Sequence, residues 1–349
     1  MSSALEEIGQ LKHAIDTNDL ERVKTLMSRN PELHRAPLGY AKAGPLTWVA
    51  ECRVPWEPPS AARLAIAKWM TENGSDIHQG GDGPLGRAAL NDSRIAMMEL
   101  LVSYGADVNA QWNGDAIIFS PCEGMHPKAL KWLLDHGANP NCGNAYGRHT
   151  ALDYLIGTYA RSPERLSACI EILLDAGGTT KFGVPGVLEV LRGQFHRLAD
   201  QLEADPELAH RRFPELDCGS TGGRRLLLEG ATLLHVAAEF GSLEAARLLL
   251  DRGTGVNARA TVNDAGVGGQ TAIFHAVTQF GDDGLPMVQL LVEHGADLSV
   301  RVTLPGHYDQ LDEVVECTPL GYALRIRDEP FRSGRVRTVA FLRERGAVE

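Results

Sequence analysis

The chain has 349 residues, of which 44% are hydrophobic and 23% charged, and its formal net charge is −11. This composition excludes a largely disordered chain, and the acidic balance lacks the basic surface that nucleic acids or anionic membranes require of a partner. No stretch reaches the roughly 20 apolar residues that span a bilayer, and no secretory signal is evident, so we expect a cytoplasmic protein without a membrane segment.

One phrase recurs along the chain: two apolar residues, two or three mostly polar ones, then Gly and a small residue. In chain order its glycines are Gly74, Gly105, Gly137, Gly177, Gly253, Gly295 and Gly346. The spacings are 31, 32, 40, 76, 42 and 51 residues. A period of thirty-odd residues with insertions is typical of a solenoid made of stacked repeats.

The segment Thr232–Thr254 is the clearest copy and predicts a pair of short helices. The first helix covers Leu233–Phe240, and Gly241 ends it because glycine adopts the left-handed conformation of a C-cap at little cost. A second helix begins after Ser242, has one apolar face, and ends at Gly253. Helices this short need neighbouring repeats to cover their apolar faces.

The repeated segments resemble the ankyrin repeat. The first half of its signature is matched by Thr232-Leu-Leu-His-Val-Ala-Ala and Thr318-Pro-Leu-Gly-Tyr-Ala, and the second half by Gly105-Ala-Asp-Val-Asn-Ala110. The resemblance implies an all-α ankyrin-repeat solenoid of stacked helix–turn–helix units with projecting loops. It also implies that His235 is a buried structural residue that bonds locally.

We divide the chain into nine repeats, of which the first and the sixth match the pattern least. Their approximate bounds are 4–43, 44–82, 83–114, 115–148, 149–183, 184–230, 231–269, 270–316 and 317–349. The first and sixth repeats resemble each other, because in both a helix runs into Asn/Asp-Pro-Glu-Leu. We therefore expect two sub-arrays, residues 1–183 with a capping first repeat and residues 184–349. Tandem duplication and convergence on one helix ending are both open as explanations.

The second sub-array has the long insertions. They lie in the projecting loops at 213–230, 258–270 and 300–317. Long loops in compact repeats are commonly functional, because insertions map to one face of a solenoid. Aromatic residues at loop tips are candidate anchors for a partner; they are Trp112, Tyr146 and Tyr308.

The resemblance places two residues of each repeat, after the first helix, on a concave groove that contacts partners. The residues carried over are Glu51, Cys52, Leu90, Asn91, Cys122, Glu123, Glu239, Phe240, Thr278, Gln279 and Arg325, with Gly157, Thr158 and Ile326 in the same register. Because three of the pairs contain Glu, we expect an acidic groove and a partner with a basic or polar surface.

Metal and cofactor chemistry is not expected. Cys52 and Cys122 each adjoin a Glu, but their repeats are two apart, which puts them about 20 Å apart at 8–10 Å per packed helix. The six cysteines are scattered, as is typical of reduced thiols. The glycines at 266–269 lack the lysine of a phosphate loop.

The sequence therefore favours a monomeric, non-enzymatic scaffold that binds another protein through its groove and loop tips. The alternative is an enzyme or small-ligand-binding protein with a site between the loops 258–270 and 300–317. His307, Asp309 and Asp312 are the candidate catalytic residues of that alternative. An enclosed concave pocket between the loops would favour the alternative, and a smooth groove would favour the scaffold.

Overall fold

The computed structural model describes the backbone of residues 2–39, 43–51, 58–112, 114–143, 150–219, 225–306, 312–326 and 334–349, and their side chains except those of residues 2–4 and 112. Along these residues eighteen α-helices form nine consecutive pairs. The helices are α1 Ser2–Asp16, α2 Leu20–Arg29, α3 Pro45–Glu51, α4 Ala61–Glu72, α5 Gly83–Ala89, α6 Ile95–Ser103, α7 Phe119–Glu123, α8 Pro127–Asp135, α9 Ala151–Gly157, α10 Pro163–Asp175, α11 Val187–Leu191, α12 Phe195–Ala204, α13 Leu233–Phe240, α14 Leu243–Asp251, α15 Ala272–Ala276, α16 Leu285–Glu293, α17 Pro319–Arg325 and α18 Val336–Glu344.

Each of the nine repeats predicted from the sequence contains one helix pair, which confirms the repeat pattern and the mostly helical fold. The chain divides into two compact units. The first contains Met1–Leu155 and Ile172–Thr179, and the second contains Ile156–Glu171 and Thr180–Glu349. The predicted sub-arrays 1–183 and 184–349 stay a prediction.

Each unit has two helical layers. In the first unit α1, α3, α5 and α7 pack on one another in order, and α2, α4 and α6 form the second layer. In the second unit the layers are α11, α13, α15 and α17, and α12, α14, α16 and α18. Stacking covers the apolar face that a single pair would expose, which is why such short helices are stable here.

The recurring glycine phrase is the end of the second helix in seven repeats. The residue four positions before the glycine is fully buried in every copy: Met70, Leu101, Leu133, Leu173, Leu249, Leu291 and Leu342. The residue after the glycine donates its backbone N–H to the carbonyl of that buried residue, as Ala106 does to Leu101 at 3.1 Å. The glycines have positive φ, for example +102° at Gly105. The phrase therefore combines a core contact with a helix stop.

The first and sixth repeats end their second helices in the same way. A short 3₁₀ helix follows α2 at Pro31–Arg35, and another follows α12 at Pro206–Ala209. The residues before the prolines have nearly equal backbone angles, φ −131° and ψ 89° at Asn30 and φ −137° and ψ 86° at Asp205. The backbone is thus alike at these two helix endings, and the similarity of the two whole repeats stays a prediction.

Asparagine side chains join successive projecting loops. Asn109 donates to the carbonyl of Gly137 at 3.0 Å and accepts from the N–H of Asn139 at 2.8 Å. Asn257 does the same with Gly295 and Asp297, at 3.0 and 2.8 Å. Asn141 repeats the arrangement with the carbonyl of Gly177 and the N–H of Thr179. These asparagines form what we call the asparagine stitch, in which one side chain satisfies two backbone groups of the next repeat.

The loops of the second unit contain β-structure that the helical pattern did not predict. Strand β3 (Val302–Pro305) pairs antiparallel with β4 (Val314–Cys317). Alternation in Val302-Thr-Leu-Pro305 was the available signal, since Val302 and Leu304 are buried whereas Thr303 and Pro305 are half-buried. Strands β1 (Gln111–Trp112) and β2 (Asp115–Ala116) form a two-residue antiparallel pairing in a loop of the first unit.

Candidate functional site

The predicted groove residues lie where the first helices end. Glu51, Cys122, Glu123, Glu239, Phe240 and Arg325 are in the last turns of their helices, and Leu90, Asn91, Thr278 and Gln279 follow theirs. Leu90, Asn91 and Glu123 are half-buried, whereas Cys122 is fully buried. Cys52 lies outside the described residues. These residues thus lie at or just after the ends of first helices, and the accessibility of their side chains varies widely. Their contact with a partner stays a prediction.

Glu239 contacts other residues of this chain and is not available to a partner. Its side chain has no solvent exposure. One carboxylate oxygen accepts from the guanidinium of Arg161 at 2.6 and 3.1 Å, and the other lies 2.7 Å from Nδ1 of His275. A buried carboxylate requires such partners because its desolvation is costly. The prediction that Glu239 contributes to an exposed acidic groove is wrong.

Glu51 shows the same behaviour in the first unit. It is 6% exposed, and its carboxylate accepts from Arg87 of the next repeat at 2.7 Å. The pair neutralises the carboxylate where the first helices of two repeats meet. The groove is therefore less acidic than the sequence predicted, because two of its three glutamates form buried or nearly buried ion pairs.

The side chains of Thr278 and Gln279 also form hydrogen bonds within the second unit. The Thr278 hydroxyl donates to the carbonyl of Phe274 at 2.8 Å. The Gln279 amide donates to the carbonyls of Glu239 and His275 at 2.9 and 3.0 Å. Both residues are at most 5% exposed. They fix the end of α15 against α13. Most of their polar atoms are therefore not available to a partner, contrary to the prediction that both residues are exposed contacts.

Buried arginines near the start of the second helices were not predicted. Arg335 donates from Nε to the Gln279 carbonyl at 2.8 Å and from Nη2 to the Thr278 carbonyl at 3.1 Å, and it also contacts the Ile326 carbonyl. Arg94 donates to the Arg87 carbonyl at 2.8 Å. Guanidinium groups satisfy carbonyls left over where a first helix ends. The signal in the sequence was an arginine just before or early in the second helix of several repeats: Arg63, Arg94, Arg161 and Arg335.

Phe240 and Gln279 border a small, largely apolar concavity of about 200 Å³ that we call the groove hollow. Its walls come from the ends of α13 and α15 and the starts of α14 and α16. They are Arg161, Pro163, Ala238, Phe240, Gly241, Leu243, Gln279, Phe280, Asp283, Gly284, Pro286 and Met287. The Arg161 guanidinium lies 4.7 Å from the centre of the Phe240 ring and holds that ring in place.

Arg325 is the most accessible of the predicted groove residues in the second unit. Its side chain is 50% exposed and forms an ion pair with Glu313. Asp312, a candidate catalytic residue, is exposed in a turn beside Glu313. His307, Tyr308, Asp309 and Tyr146 lie outside the described residues. Trp112 belongs to the short pairing with Asp115, and only its backbone is described.

The long loops of the second unit border a larger, half-open concavity of about 400 Å³, which we call the loop cavity. Three segments form it, one from each inserted loop. The residues are Pro214, Arg225, Leu226, Leu227, Glu229, Gly230, Thr261, Val262, Asn263, Asp264, Val267, Gly268, Gln270, Leu304 and Pro305. The cavity lies between the loops where the sequence suggested an alternative site. None of the described lining residues is a His, Cys, Lys or Tyr.

His235 is fully buried, as the resemblance implied. Its Nδ1 accepts from the backbone N–H of Thr232 at 3.2 Å, so Nε2 is the protonated nitrogen that donates to the Gln270 carbonyl at 3.0 Å. Burial, together with the nearby charge of His275, lowers the pKa of His235 to about 3. The ring is therefore neutral at physiological pH and links two repeats.

The thiols and acidic groups in the described part of the chain do not form a metal centre. No group of three or more His, Cys, Asp or Glu residues there has the geometry to hold an ion. Burial raises the pKa of both Cys218 and Cys317 to about 12, so these thiols stay protonated. Also within the described residues, no helix has the length and apolar character needed to cross a membrane.

Comparison with known proteins identifies the repeats. A family description, "Ankyrin repeats (3 copies)", matches residues 202–302. The B-cell lymphoma 3 protein homolog of Mus musculus is 39% identical over 256 residues, covering 71% of this chain and 43% of that protein. The chain thus spans less than half the length of this relative, and the matched family region contains all of α13–α16.

Proposed function

We propose that this chain, which belongs to the ankyrin-repeat family, is a non-enzymatic protein-binding module whose partner contacts the ends of the first helices in the second unit. The groove hollow is the observation that supports the proposal. It joins two residues predicted from the repeat register, Phe240 and Gln279, to apolar side chains of the following helices, Leu243 and Met287.

The ion pairs beneath this surface support a rigid binding site. Arg161 contacts Glu239 and lies over Phe240, while Gln279 donates to the carbonyls of Glu239 and His275. A surface whose side chains are already held loses little conformational entropy when a partner binds. The buried charges therefore act by positioning the neighbouring apolar groups.

An apolar anchor suits the groove hollow better than the basic surface predicted from the sequence. Glu239 is neutralised by Arg161, which leaves Asp283 as the carboxylate at the mouth. We infer that the partner inserts an aliphatic or aromatic side chain between Phe240 and Met287. Such anchors in desolvated hollows commonly account for most of the binding free energy.

The monomeric state and the cytoplasmic location stay predictions. The relative's name states no ligand, and this chain covers 43% of it, so nothing about its partners is transferred. Loop tips stay candidate secondary contacts.

A matched pair of charge reversals tests the groove proposal. Asp283 is exposed at the mouth of the hollow, whereas Glu293 is exposed at the other end of α16. We expect Asp283→Lys to reduce quantitative capture of partners from a lysate of the source cells by about ten-fold or more. Glu293→Lys should change capture by less than about two-fold, because single surface changes away from a contact have small effects. Equal capture by both variants would contradict the groove proposal.

The alternative function, ligand binding between the long loops, is supported by the loop cavity itself. Its concave shape fits a binding role. His307 and Asp309, two catalytic candidates of this alternative, lie outside the described residues, so the alternative of an enzyme or a small-ligand-binding protein stays a prediction.

A further inference from the structure

We propose that the loop cavity binds an extended peptide segment in which an apolar side chain is flanked by a basic residue. This site is distinct from the groove hollow, with which it shares no lining residue. The proposal goes beyond the groove function and rests on the shape, exposed apolar groups, charge and free acceptor of the cavity.

Exposed aliphatic side chains border the cavity. Leu227 is 39% exposed and Val262 is 51% exposed, and both are among the seven large hydrophobic side chains that are strongly exposed in the described part of the chain. Leu226 and Leu304 lie buried in the walls. An exposed apolar rim above an apolar wall is the arrangement that a partner's aliphatic or aromatic side chain would cover.

The rim is acidic and its carboxylates are available. Glu229 and Asp264 are exposed, and the side chain of neither forms a hydrogen bond or an ion pair within the described residues. Arg225 is the only basic residue in the described lining, and it is half-buried and has another interaction in the protein. A lysine or arginine next to the inserted apolar residue would therefore be attracted by two carboxylates and repelled by one partly buried guanidinium, which favours a basic residue at this place.

One wall provides an unused acceptor. Gln270 is 3% exposed, and its Nε2 donates to the Leu227 carbonyl at 3.2 Å. Its Oε1 is buried and has no partner among the described residues, although buried polar atoms are nearly always paired. A backbone N–H of a bound peptide is the kind of donor that this oxygen lacks.

The walls are joined to one another by backbone hydrogen bonds. Gly268 donates to the Thr303 carbonyl at 2.8 Å, and Thr261 donates to the Gly230 carbonyl at 3.1 Å. The three loops thus form one connected frame, which favours a preformed site. A volume of about 400 Å³ accommodates one or two side chains and their backbone, which suits a short peptide segment.

Selection from a display library of random peptides of about 12 residues tests the proposal with the full chain as target. We expect enriched sequences to contain an aliphatic or aromatic residue within two positions of Lys or Arg. One enriched peptide, labelled with a fluorophore, is then titrated by fluorescence polarisation. Asp264→Lys and Val262→Asp should each weaken its binding by about ten-fold or more.

Two matched variants control for unspecific effects. Val348 is 52% exposed, like Val262, and Asp251 is exposed at the end of α14, so Val348→Asp and Asp251→Lys should leave affinity within about two-fold. Circular dichroism checks that each variant is folded. If Val262→Asp is not folded, the affinity of Asp264→Lys alone decides the test. Asp283→Lys at the groove hollow should leave peptide binding unchanged.

Three outcomes would overturn the loop-cavity proposal. They are a selection without enrichment, enriched peptides whose flanking residues are acidic, and a peptide whose binding depends on Asp283 and not on Asp264. The last outcome would support the groove proposal while refuting this one. Conversely, peptide binding that is weakened by Asp264→Lys, together with partner capture that is unchanged by Asp283→Lys, would refute the groove proposal alone.

Discussion

The short loops of the first unit and the long loops of the second unit share one hydrogen-bonding arrangement and differ in their inserted β-structure. Both contain the asparagine stitch, at Asn109 in the first unit and at Asn257 in the second. In the second unit the inserted residues add β3, β4 and a hairpin around Gly268, and the loop cavity is bordered by β3, this hairpin and residues of the segment 214–230. Insertions can therefore build a site on the loops while the helices beneath them remain stacked in order.

The groove side of the two units allows a parallel comparison. Glu51 and Glu239 occupy the same position of the repeat. The Glu239 side chain is fully buried with two partners, whereas the side chains of Glu51 and Arg87 are 8% and 16% exposed. The unit with the groove hollow and the loop cavity thus also has the more deeply buried of these two carboxylates. Four predictions test how far these differences between the units extend.

The largest expected effect is that of Glu239→Ala. Removing this carboxylate leaves Arg161 with an uncompensated buried charge, so we expect the free energy of unfolding to fall by about 3–5 kcal/mol. Glu51→Ala should cost less, about 1–3 kcal/mol, because its partner is closer to solvent. Urea denaturation followed by circular dichroism measures both, and equal losses would show that depth of burial does not separate the two sites.

Gly268→Ala and Gly105→Ala compare a glycine of the inserted hairpin with a glycine of the basic repeat. Both have positive φ, +118° and +102°, so each substitution strains the backbone by roughly 1–2 kcal/mol. At Gly268 an added Cβ would also lie 2.4 Å from the Thr261 carbonyl oxygen, whereas nothing lies within 4 Å at Gly105. We expect Gly268→Ala to cost about 1–3 kcal/mol more. Thermal unfolding of the two variants measures the difference in stability. A smaller loss of stability at Gly268 would mean that the hairpin backbone shifts at little cost to accept the added Cβ.

Acid should destabilise the second unit through His235. Because its pKa is about 3 in the folded state and near 6.5 when unfolded, the unfolded chain binds more protons between these values. Stability therefore falls as the pH drops below about 6.5, by about 2 kcal/mol from pH 7 to pH 5. Denaturation of the wild type and of His235→Gln at both pH values measures the difference. A variant that keeps the whole pH dependence would locate the effect elsewhere, for example at His34, whose pKa burial also lowers.

The smallest effect is expected at the asparagine stitch. Asn109→Ala and Asn257→Ala each remove two exposed hydrogen bonds to the next repeat, so each should cost about 1 kcal/mol. The two losses should agree, because the distances agree in both units. Denaturant midpoints measure them. A much larger loss at Asn257 would show that the inserted hairpins depend on the stitch below them.

Much of the fold was predictable because it depends on local periodicity. The glycine stops, the buried residue four positions earlier and the similar endings of repeats one and six all follow from short stretches of chain. The strands β3 and β4 were missed, although the alternation in residues 302–305 was visible, because the helical repeat dominated the pattern around them.

The site was predictable only as a set of positions. The register located Glu239, Phe240 and Gln279 at the end of first helices, but it did not reveal which side chains face solvent. Arg161 lies 78 residues before Glu239, whose charge it neutralises. The residues around each of the two do not indicate that they form an ion pair. The predicted exposure of Glu239 in an acidic groove was wrong for this reason.

By itself the sequence determined the number of repeats, the helix pairs and the loops that received insertions, since these features depend on spacing and on residues near one another in the chain. Tertiary structure alone decided which carboxylates are neutralised, and that residues from three loops meet around one cavity. The physical reason is that burial and pairing depend on groups brought together from distant repeats, whereas helix formation and helix ends depend on the next few residues.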